Sequence, residues 1–219
     1  MKGREPLKVV VLISGQGTNL QALIDTAASP DAGFEVVAVF SDRADARGLE
    51  RARDAGIAAH HLDRRAFTDR AAFDAALADA IAQYAPGLVV LAGFMRILSP
   101  AFVNRFDGRL LNIHPSLLPK FKGLHTHRRV LAEGETEHGA TVHLVTAELD
   151  DGPPIMQFRI RIRPDDTEDT LAARVHEGEY LIYPRTVAWF AEGRVKIDAG
   201  RVLLDGKALN EPVCVEGSH

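Results

Sequence analysis

A chain of 219 residues with 46% hydrophobic and 26% charged residues is long enough for one large domain with a sizeable core. Its formal net charge of −4 argues against non-specific nucleic-acid binding, and its longest apolar runs are too short to cross a membrane. The single cysteine, Cys214, excludes an internal disulfide and residues 1–7 hold no apolar signal-peptide core, so we expect a reducing, cytoplasmic setting.

Strands and helices alternate through the first half of the chain. Apolar runs predict strands over residues 7–13, 34–40, 57–62, 88–92 and 110–113, of which the third is the weakest. Helical patterns follow the first three runs, over residues 20–28, over 44–55, and from an expected N-cap at Thr68 to Pro86. Apolar runs joined by helices are typical of a mostly parallel sheet covered on both faces. We therefore predict a doubly wound, Rossmann-like α/β fold.

The second half has a different pattern, which predicts antiparallel strands. Strands are predicted over residues 141–145, 155–162, 195–198 and 202–204, the last two forming a hairpin. The alternation of Gln157, Arg159 and Arg161 with apolar residues predicts one exposed face on the second of these strands. A long helix is expected over residues 170–190, bent or restarted at Pro184. Without a linker or repeat, we expect one domain over 1–219, with halves at about 7–105 and 106–205.

The first candidate site is the glycine loop, residues 15–19, which joins the first strand to the first helix. Glycines there let backbone N–H groups approach an anion, and the helix dipole favours negative charge. Gly17, Thr18 and Asn19 would contact a phosphate, and the alternative is a merely tight turn. The loop lacks the Lys-Ser/Thr of a P-loop and the third glycine of a dinucleotide fingerprint.

Asp42, at the end of the second strand, leaves a different class of protein open. An acidic residue at this position binds ribose hydroxyls in nicotinamide oxidoreductases. A solvated loop carboxylate is the simpler interpretation, and the missing third glycine weakens the oxidoreductase hypothesis.

A second candidate lies in the fifth strand, where Asn112 and His114 interrupt a buried run. Because side chains alternate along a strand, both should point to one side of the sheet, with Leu111 and Ile113 on the other. Burying polar groups is costly unless they have partners or a task. An amide donor beside an imidazole suits oxyanion stabilisation and proton transfer, and the alternative is a pair satisfied within the core.

The acidic stretch of residues 148–154 adds a third side chain, the carboxylate of Asp150. It could orient His114 and favour the protonated imidazole. The pattern alone does not require this role, because acidic residues before Gly-Pro commonly just form a turn. Asn112, His114 and Asp150 are the candidate catalytic residues and are called the polar cluster below.

Six segments carry a resemblance to a known family. They read VVLISGQGTNLQALID, AVFSDRADARGLERARDAGI, VVLAGFMRILSPAFV, GRLLNIHPSLLPKFKGLHTH, HGATVHLVTAELDDGPPI and ARVHEGEYLIYP. In this order and spacing they resemble the phosphoribosylglycinamide formyltransferases of purine biosynthesis, over roughly residues 8–190. The extra domains of methionyl-tRNA formyltransferase and formyltetrahydrofolate deformylase are not recognisable.

The resemblance implies a reaction. The formyl group of 10-formyltetrahydrofolate would pass to the amine of glycinamide ribonucleotide, giving the N-formyl product and tetrahydrofolate in de novo purine biosynthesis. Asn112 and protonated His114 would stabilise the oxyanion, and Asp150 would organise a water that relays the proton. The folate carries the one-carbon group, so we expect no metal. The expected partners are these two small molecules, and the enzyme would be a monomer or homodimer.

The resemblance also assigns binding residues. For the ribonucleotide they are Gly17, Thr18, Asn19, His176, Glu177, Gly178 and Glu179. For the folate they are Arg70, Met95, Arg96, Ile97, Leu98, Asn112, Thr146, Ala147, Glu148, Leu149 and Asp150. Without the resemblance, Arg70 and Glu179 would be interpreted as ordinary helix charges.

Three departures from the family pattern concern the predicted site. Ala140 and Thr141 stand where two small hydroxyl residues are expected, Asp151 replaces the first glycine of an Asp-Gly-Gly-Pro loop, and Lys122 replaces a common proline. Asp151 puts the backbone of that loop in question, because a glycine can be needed there. A separate question is whether His125 and His127 bind a metal. No cysteine or carboxylate lies at ligand spacing from them, so we expect them to shape the pocket near His114.

Overall fold

Largely buried apolar runs at residues 7–13, 34–41, 88–91 and 110–114 form the centre of the fold, as seen in a computed structural model whose described part is residues 5–217. The predicted run at residues 57–62 is only partly buried, because it forms an edge strand. Residues 1–4 and 218–219 of the predicted domain lie outside the described residues. The strands are β1 Leu7–Ile13, β2 Phe34–Ser41, β3 Ala58–His61, β4 Leu88–Leu91, β5 Leu110–His114, β6 Glu137–Leu144, β7 Pro154–Arg161, β8 Val195–Asp198, β9 Arg201–Leu204, β10 Lys207–Ala208 and β11 Val213–Glu216. The helices are α1 Thr18–Ala27, α2 Arg47–Asp54, α3 Arg70–Ala82, α4 Pro100–Arg105, α5 Thr126–Ala132 and α6 Glu168–Ala191, with a 3-10 turn at Arg64–Ala66.

One eight-stranded sheet has the order β3-β2-β1-β4-β5-β6-β7-β11, and β8, β9 and β10 form a small antiparallel sheet. Strands β1 to β5 are parallel, while β6 pairs antiparallel with both β5 and β7. From β1, the chain adds strands first on one side, to β3, and then on the other, through β4 to β5. This confirms the predicted doubly wound, mostly parallel fold with antiparallel strands in its C-terminal part.

Side-chain alternation divides the core between the two faces of the large sheet. Val9 and Val11 belong to the cluster that includes α1, α2 and α6, whereas Val10 and Leu12 pack with α3 and α4. All four side chains are fully buried, because a strand inside a doubly wound sheet has helices on both sides. From Val9 to Ile13, β1 is therefore closed on both faces, and a ligand can reach it only at its carboxyl end.

The starts of two helices differ from the prediction. The N-cap of α3 is Asp69 rather than Thr68, and the Asp69 carboxylate accepts a hydrogen bond from Ala72 N at 2.8 Å. A carboxylate combines this capping bond with a favourable interaction with the helix dipole, so the acidic neighbour takes the position. Helix α2 begins at Arg47 rather than at Ala44.

The exposed face predicted for residues 155–162 is wrong for Gln157. Its side chain is buried and donates hydrogen bonds to Leu118 O at 2.9 Å and to Thr141 Oγ1 at 3.0 Å. β7 lies between β6 and β11, and the segment after β5 packs against it, so the polar position is enclosed rather than solvated. Arg161, at the end of the strand, is exposed as expected.

The C-terminal elements largely follow the prediction. The terminal hairpin is present, and β8 and β9 are joined through Ala199 and Gly200, both with positive φ as such tight turns require. α6 runs through Pro184 as one helix and does not restart there. Across residues 5–217, no helix has the length and apolarity needed to cross a membrane.

Candidate active site

A cleft of about 580 Å³ opens at the carboxyl ends of β4 and β5. The strand order reverses between β1 and β4, and ligands of doubly wound folds bind in the crevice at such a reversal. The residues after β1 and β4 meet there, because Ser14 N donates to Gly93 O at 3.0 Å. The cleft lining includes the wall segment, residues 95–98, on one side and the acidic loop, residues 146–150, on the other.

The two polar residues of β5 face this cleft together. Asn112 and His114 line the cleft, whereas Leu111 and Ile113 belong to the hydrophobic cluster on the opposite face of the sheet. The alternation predicted for the strand is therefore confirmed. His114 is 5% exposed, so its ring is shielded from bulk solvent.

His114 and Asp150 form a buried pair. His114 Nδ1 lies 3.4 Å from Asp150 Oδ2, and both side chains are 7% exposed. The other ring nitrogen, Nε2, lies 2.9 Å from Phe121 O, which can only accept, so Nε2 carries a hydrogen. A protonated ring presents an N–H to both acceptors, whereas a neutral ring would turn a lone pair towards the carboxylate. The arrangement therefore suits an imidazolium–carboxylate pair.

The conformation of the acidic loop answers the question raised by Asp151. The left-handed residue is Asp150 itself, with φ of 50°, and Asp151 is not among the residues with positive φ. A glycine is needed at position 152 instead, because a Cβ there would collide with Leu144 O. The Asp150 carboxylate is held in place by Gly123 N, which donates to Oδ2 at 2.9 Å. Asp151 instead pairs with Lys122 at the surface, so two of the departures contact each other.

The third departure concerns Ala140 and Thr141. The Thr141 hydroxyl donates to Ser116 O at 2.7 Å and accepts from Leu118 N at 3.1 Å. Ala140 is fully buried in the hydrophobic cluster. Neither side chain is among those lining the cleft, so the Thr141 hydroxyl supports the segment after β5.

His143 is a functional candidate that lies in the strand predicted over residues 141–145, and no role in the site was predicted for it from the sequence. Its Nδ1 donates to Leu144 O at 2.7 Å, so Nε2 is left as the acceptor for Asn112 Nδ2, 3.2 Å away. Burial lowers the pKa of His143 and keeps this neutral form. His143 thus fixes which way the Asn112 amide points. What identifies this role is the antiparallel register of β5 and β6, which places His143 opposite Asn112.

The glycine loop turns its carbonyl groups towards α2. Gly48 N donates to Gly15 O at 3.1 Å, and Arg51 Nε donates to Gln16 O at 2.9 Å. Gly17 has φ of 70°, and a Cβ there would lie 2.6 Å from Gly48 Cα. Since no side chain caps α1, its first N–H groups keep their capacity to bind an anion.

Of the four α6 residues predicted to bind the ribonucleotide, Glu179 meets the glycine loop. Its Oε2 accepts a hydrogen bond from Asn19 Nδ2 at 2.7 Å, and burial raises the pKa of Glu179. His176 and Glu177 are exposed, and Gly178 packs against the Phe158 ring, which a Cβ would overlap. Asn19 Oδ1 is buried without a hydrogen-bond partner, so this amide has an acceptor to offer a ligand.

The predicted folate residues separate into two groups. Those of the wall segment and the acidic loop line the cleft together with Asn112, and Met95 and Ile97 are 72% and 58% exposed. Arg70 does not belong to the cleft lining. It reaches the wall segment from α3, where its Nη2 donates to Leu98 O at 3.0 Å.

The histidines after β5 surround the cleft. His125 and His127 both line it, and His127 Nδ1 lies 2.9 Å from His138 Nε2. Burial lowers the pKa of His127, and burial with the nearby His127 lowers the pKa of His138 to about 3. Within residues 5–217, no three His, Cys, Asp or Glu side chains are grouped as a metal site would require.

Asp42 has a structural partner. Ser14 Oγ donates to Asp42 Oδ1 at 2.7 Å and accepts from Met95 N at 2.9 Å. The carboxylate expected to bind a ribose in an oxidoreductase is therefore engaged in joining β1 to the wall segment.

Comparison with known proteins places this site in a family. The formyl transferase family model matches residues 7–187, and the chain belongs to that family. It is 56% identical over 203 residues to the phosphoribosylglycinamide formyltransferase of Escherichia coli (strain K12), covering 93% of this chain and 96% of that protein. A Haemophilus influenzae protein of the same name is 46% identical over 202 residues, covering 92% and 95%. The solved phosphoribosylglycinamide formyltransferase of Coxiella burnetii gives a TM-score of 0.92 at 52% identity, over 96% of this chain and 99% of that chain. The resemblance inferred from the six segments is confirmed.

Proposed function

We propose that this chain transfers the formyl group of 10-formyltetrahydrofolate to the amine of glycinamide ribonucleotide, giving the N-formyl product and tetrahydrofolate in purine biosynthesis. The observation that carries the proposal is the polar cluster, in which Asn112 and the His114–Asp150 pair open onto one cleft with apolar walls. The name shared by the relatives, phosphoribosylglycinamide formyltransferase, supports the choice of substrates.

Asn112 and His114 are placed to stabilise negative charge on the formyl oxygen as the amine attacks. His143 occupies one N–H of the Asn112 amide and leaves the second available. His114 Nε2 donates to Phe121 O, and this N–H would donate to the formyl oxygen instead while Nδ1 stays against Asp150. One such donor is worth roughly 10²–10³ in rate in other acyl-transfer enzymes.

Asp150 pairs with His114 and organises a water that relays the proton from the attacking amine to the folate nitrogen, which leaves as its bond to the formyl carbon breaks. Gly123 N anchors Oδ2, which leaves Oδ1 facing His143 Nε2 at 3.9 Å. Because the carboxylate is buried, it is stabilised by the imidazolium and by this N–H rather than by bulk solvent.

The cleft walls fit a flat, partly apolar co-substrate. Met95, Ile97 and Leu149 are each more than half exposed although their side chains are apolar, which is typical of a ligand site. Their place in the cleft lining would bring the activated formyl group that the folate carries next to the polar cluster. The Arg70 side chain is half exposed near the wall segment and is available to the carboxylates of a folate tail.

The ribonucleotide phosphate would bind the N–H groups of Gly17, Thr18 and Asn19. The unpaired Asn19 Oδ1 and the buried Glu179 lie next to this site and offer acceptors to the ribose and the glycinamide. The loop carbonyls are already bonded to α2, so the charge presented to the ligand is positive.

The assignment is tested by following tetrahydrofolate release spectroscopically, with and without glycinamide ribonucleotide. We expect release only with the ribonucleotide, and a loss of roughly 10²–10³ in kcat for His114→Ala. His61→Ala is the matched control, because His61 is an exposed histidine of β3. Release that does not need the amine would indicate a hydrolase, and release unaffected by His114→Ala would remove the polar cluster from the mechanism.

The ribonucleotide site makes a separate prediction. Asn19→Ala leaves the buried Glu179 carboxylate without its 2.7 Å partner and removes the free Oδ1, so the ribonucleotide KM should rise by about tenfold or more. The folate KM should change little, and Asp25→Ala, an exposed position of α1, should change neither. Equal effects on both KM values would place the phosphate elsewhere.

We also infer that the enzyme is cytoplasmic and acts as a monomer or homodimer. It would form one formyltransferase domain, with a phosphate-binding half at about 7–105 and a catalytic half at about 106–205. The single cysteine and the shared cleft support these inferences. Sedimentation at enzyme concentrations used for assay tests the oligomeric state.

A further inference from the structure

The wall segment, residues 95–98, needs outside support to keep its shape. It lies between β4 and α4 and belongs to neither a helix nor a strand. Met95 and Ile97 are 72% and 58% exposed in the cleft, so their packing does not fix the backbone. Leu98, at the end of the segment, is buried in the core cluster that includes α3 and α4. The contacts that position this segment must therefore come from other elements.

Two residues of α3 form hydrogen bonds with a single peptide unit at the end of the wall segment. Arg70 Nη2 donates to Leu98 O at 3.0 Å, and Ser99 N donates to Asp74 Oδ2 at 2.7 Å. Leu98 C=O and Ser99 N–H are the two polar groups of the same peptide bond. Arg70 and Asp74 are one helical turn apart, with Arg70 Nε 3.8 Å from Asp74 Oδ2. The pair acts as a clamp, called the α3 clamp below.

The start of the wall segment is held in a similar way. Met95 N donates to Ser14 Oγ, and Ser14 Oγ donates to Asp42 Oδ1. Between the two ends, the Arg96 guanidinium lies 4.4 Å from the centre of the Phe73 ring on α3. Both ends of the segment are thus bonded to side chains that stand outside the cleft.

Burying a carboxylate at position 74 lowers the stability of the fold. Asp74 is 1% exposed, and its Oδ1 is buried without a hydrogen-bond partner. Its neighbours on the buried face of α3, Leu77 and Ala78, are apolar, and an apolar residue of similar volume would avoid the desolvation cost. Ser99 caps α4 with its own hydroxyl, so Asp74 is not needed for that task. The cost is explained if Asp74 specifies one conformation of the wall segment.

We propose that Asp74 is a positioning residue for the formyl-folate, acting through the Leu98–Ser99 peptide that it holds together with Arg70. The proposal rests on the proposed function for the identity of the ligand. The clamp sets the wall segment at the end farther from β4, and it also fixes the guanidinium of Arg70 beside the cleft. Loss of the clamp therefore weakens folate binding and leaves the ribonucleotide site, on β1 and α1, in place.

The clamp is tested first without any ligand, by amide hydrogen exchange of the peptide spanning residues 94–100. Asp74→Leu should speed exchange there because Ser99 N–H loses its acceptor, and Asp74→Asn should give an intermediate result because its amide oxygen can still accept. Asp79→Leu is the matched control, since Asp79 is an exposed aspartate on the same helix. Unchanged exchange in folded Asp74→Leu overturns the clamp.

Kinetics test whether the clamp serves the folate. Asp74→Leu should raise the formyl-folate KM by about tenfold and leave the ribonucleotide KM within about twofold, and Asp74→Asn should recover part of the loss. Equal rises in both KM values indicate general loosening and overturn the positioning role. If Asp74→Leu does not fold, Asp74→Asn decides the question by the same criteria. Arg70→Met is then used for hydrogen exchange only, because Arg70 is itself proposed to contact the folate. Wild type that does not turn over would contradict the proposed function alone, because the exchange experiment still decides the clamp.

Discussion

The glycine loop and the polar cluster are built in opposite ways, although both lie at the carboxyl edge of the parallel strands, with only β4 between β1 and β5. The glycine loop consists of backbone groups from five consecutive residues, and its shape depends on the contact between Gly17 and Gly48. The polar cluster consists of side chains from β5 and from a loop more than 30 residues further along the chain. Each of its members is held by a hydrogen-bond partner.

This difference has a physical basis. An anion is bound by N–H groups and a helix dipole, which a short stretch of chain supplies by itself. Moving a proton near neutral pH needs titratable groups whose neighbours set their charge, and such neighbours come from other elements. A change in the glycine loop should therefore alter binding through sterics, whereas a change in the polar cluster should alter the rate through lost donors.

The largest expected effect is on the rate. Asn112→Ala removes a donor to the formyl oxygen, so kcat should fall by roughly 10²–10³ with small changes in either KM. Steady-state assay of tetrahydrofolate release measures both constants. Asn104→Ala, at an exposed asparagine of α4, is the control. A large rise in the ribonucleotide KM at constant kcat would contradict the proposal that the polar cluster governs the rate and the glycine loop governs binding.

A smaller effect is expected when the glycine loop is overpacked. Gly17→Ala places a Cβ 2.6 Å from Gly48 Cα, so the ribonucleotide KM should rise and the free energy of unfolding should fall by about 1–3 kcal/mol beyond the backbone strain. Gly56→Ala is a close control, because Gly56 has φ of 71° and a Cβ there would meet nothing within 4 Å. Chemical denaturation and kinetics of the two variants separate strain from collision. The same KM for both variants would show that the Gly17–Gly48 contact does not shape the phosphate site.

The last of these predictions concerns acid stability rather than kinetics, and it depends on one buried histidine, His138. Burial lowers the pKa of His138 to about 3, below the ordinary value of about 6.5, so the unfolded chain binds a proton that the folded chain rejects. Stability is therefore complete above about pH 6.5 and decreases by up to about 1.4 kcal/mol per unit as pH falls towards 3. His138→Gln should reduce this slope in urea denaturation at pH 7.5 and 5. The same slope in the variant and in wild type would assign the acid sensitivity to other groups.

The parts of the fold that were predicted from sequence are those specified by local pattern. Apart from Lys8, Glu35 and Ser41 near their ends, β1, β2 and β4 are apolar because both faces of the sheet are covered. Period-two alternation placed Asn112 and His114 on one side of β5. The N-cap of α3 is Asp69 and not the predicted Thr68, because both residue types can cap a helix and the local pattern does not decide between neighbours.

The remaining features depend on contacts between distant segments. Gln157 is buried because of what packs over β7, and His143 meets Asn112 through the register of β6. The contact of Arg70 and Asp74 with the Leu98–Ser99 peptide requires α3 to pack beside the loop after β4. No periodic pattern in the sequence encodes contacts between distant segments. The roles of these residues are therefore apparent only in the folded structure.

The central claim is that His114 and Asp150 act as one unit in formyl transfer. A double-mutant cycle in kcat tests it most directly, with His114→Ala, Asp150→Asn and the combination, assayed at saturating formyl-folate and ribonucleotide. If the pair acts together, the double variant should lose about as much as the more damaging single variant. Losses that multiply, each substitution acting as if the other were absent, would contradict the account.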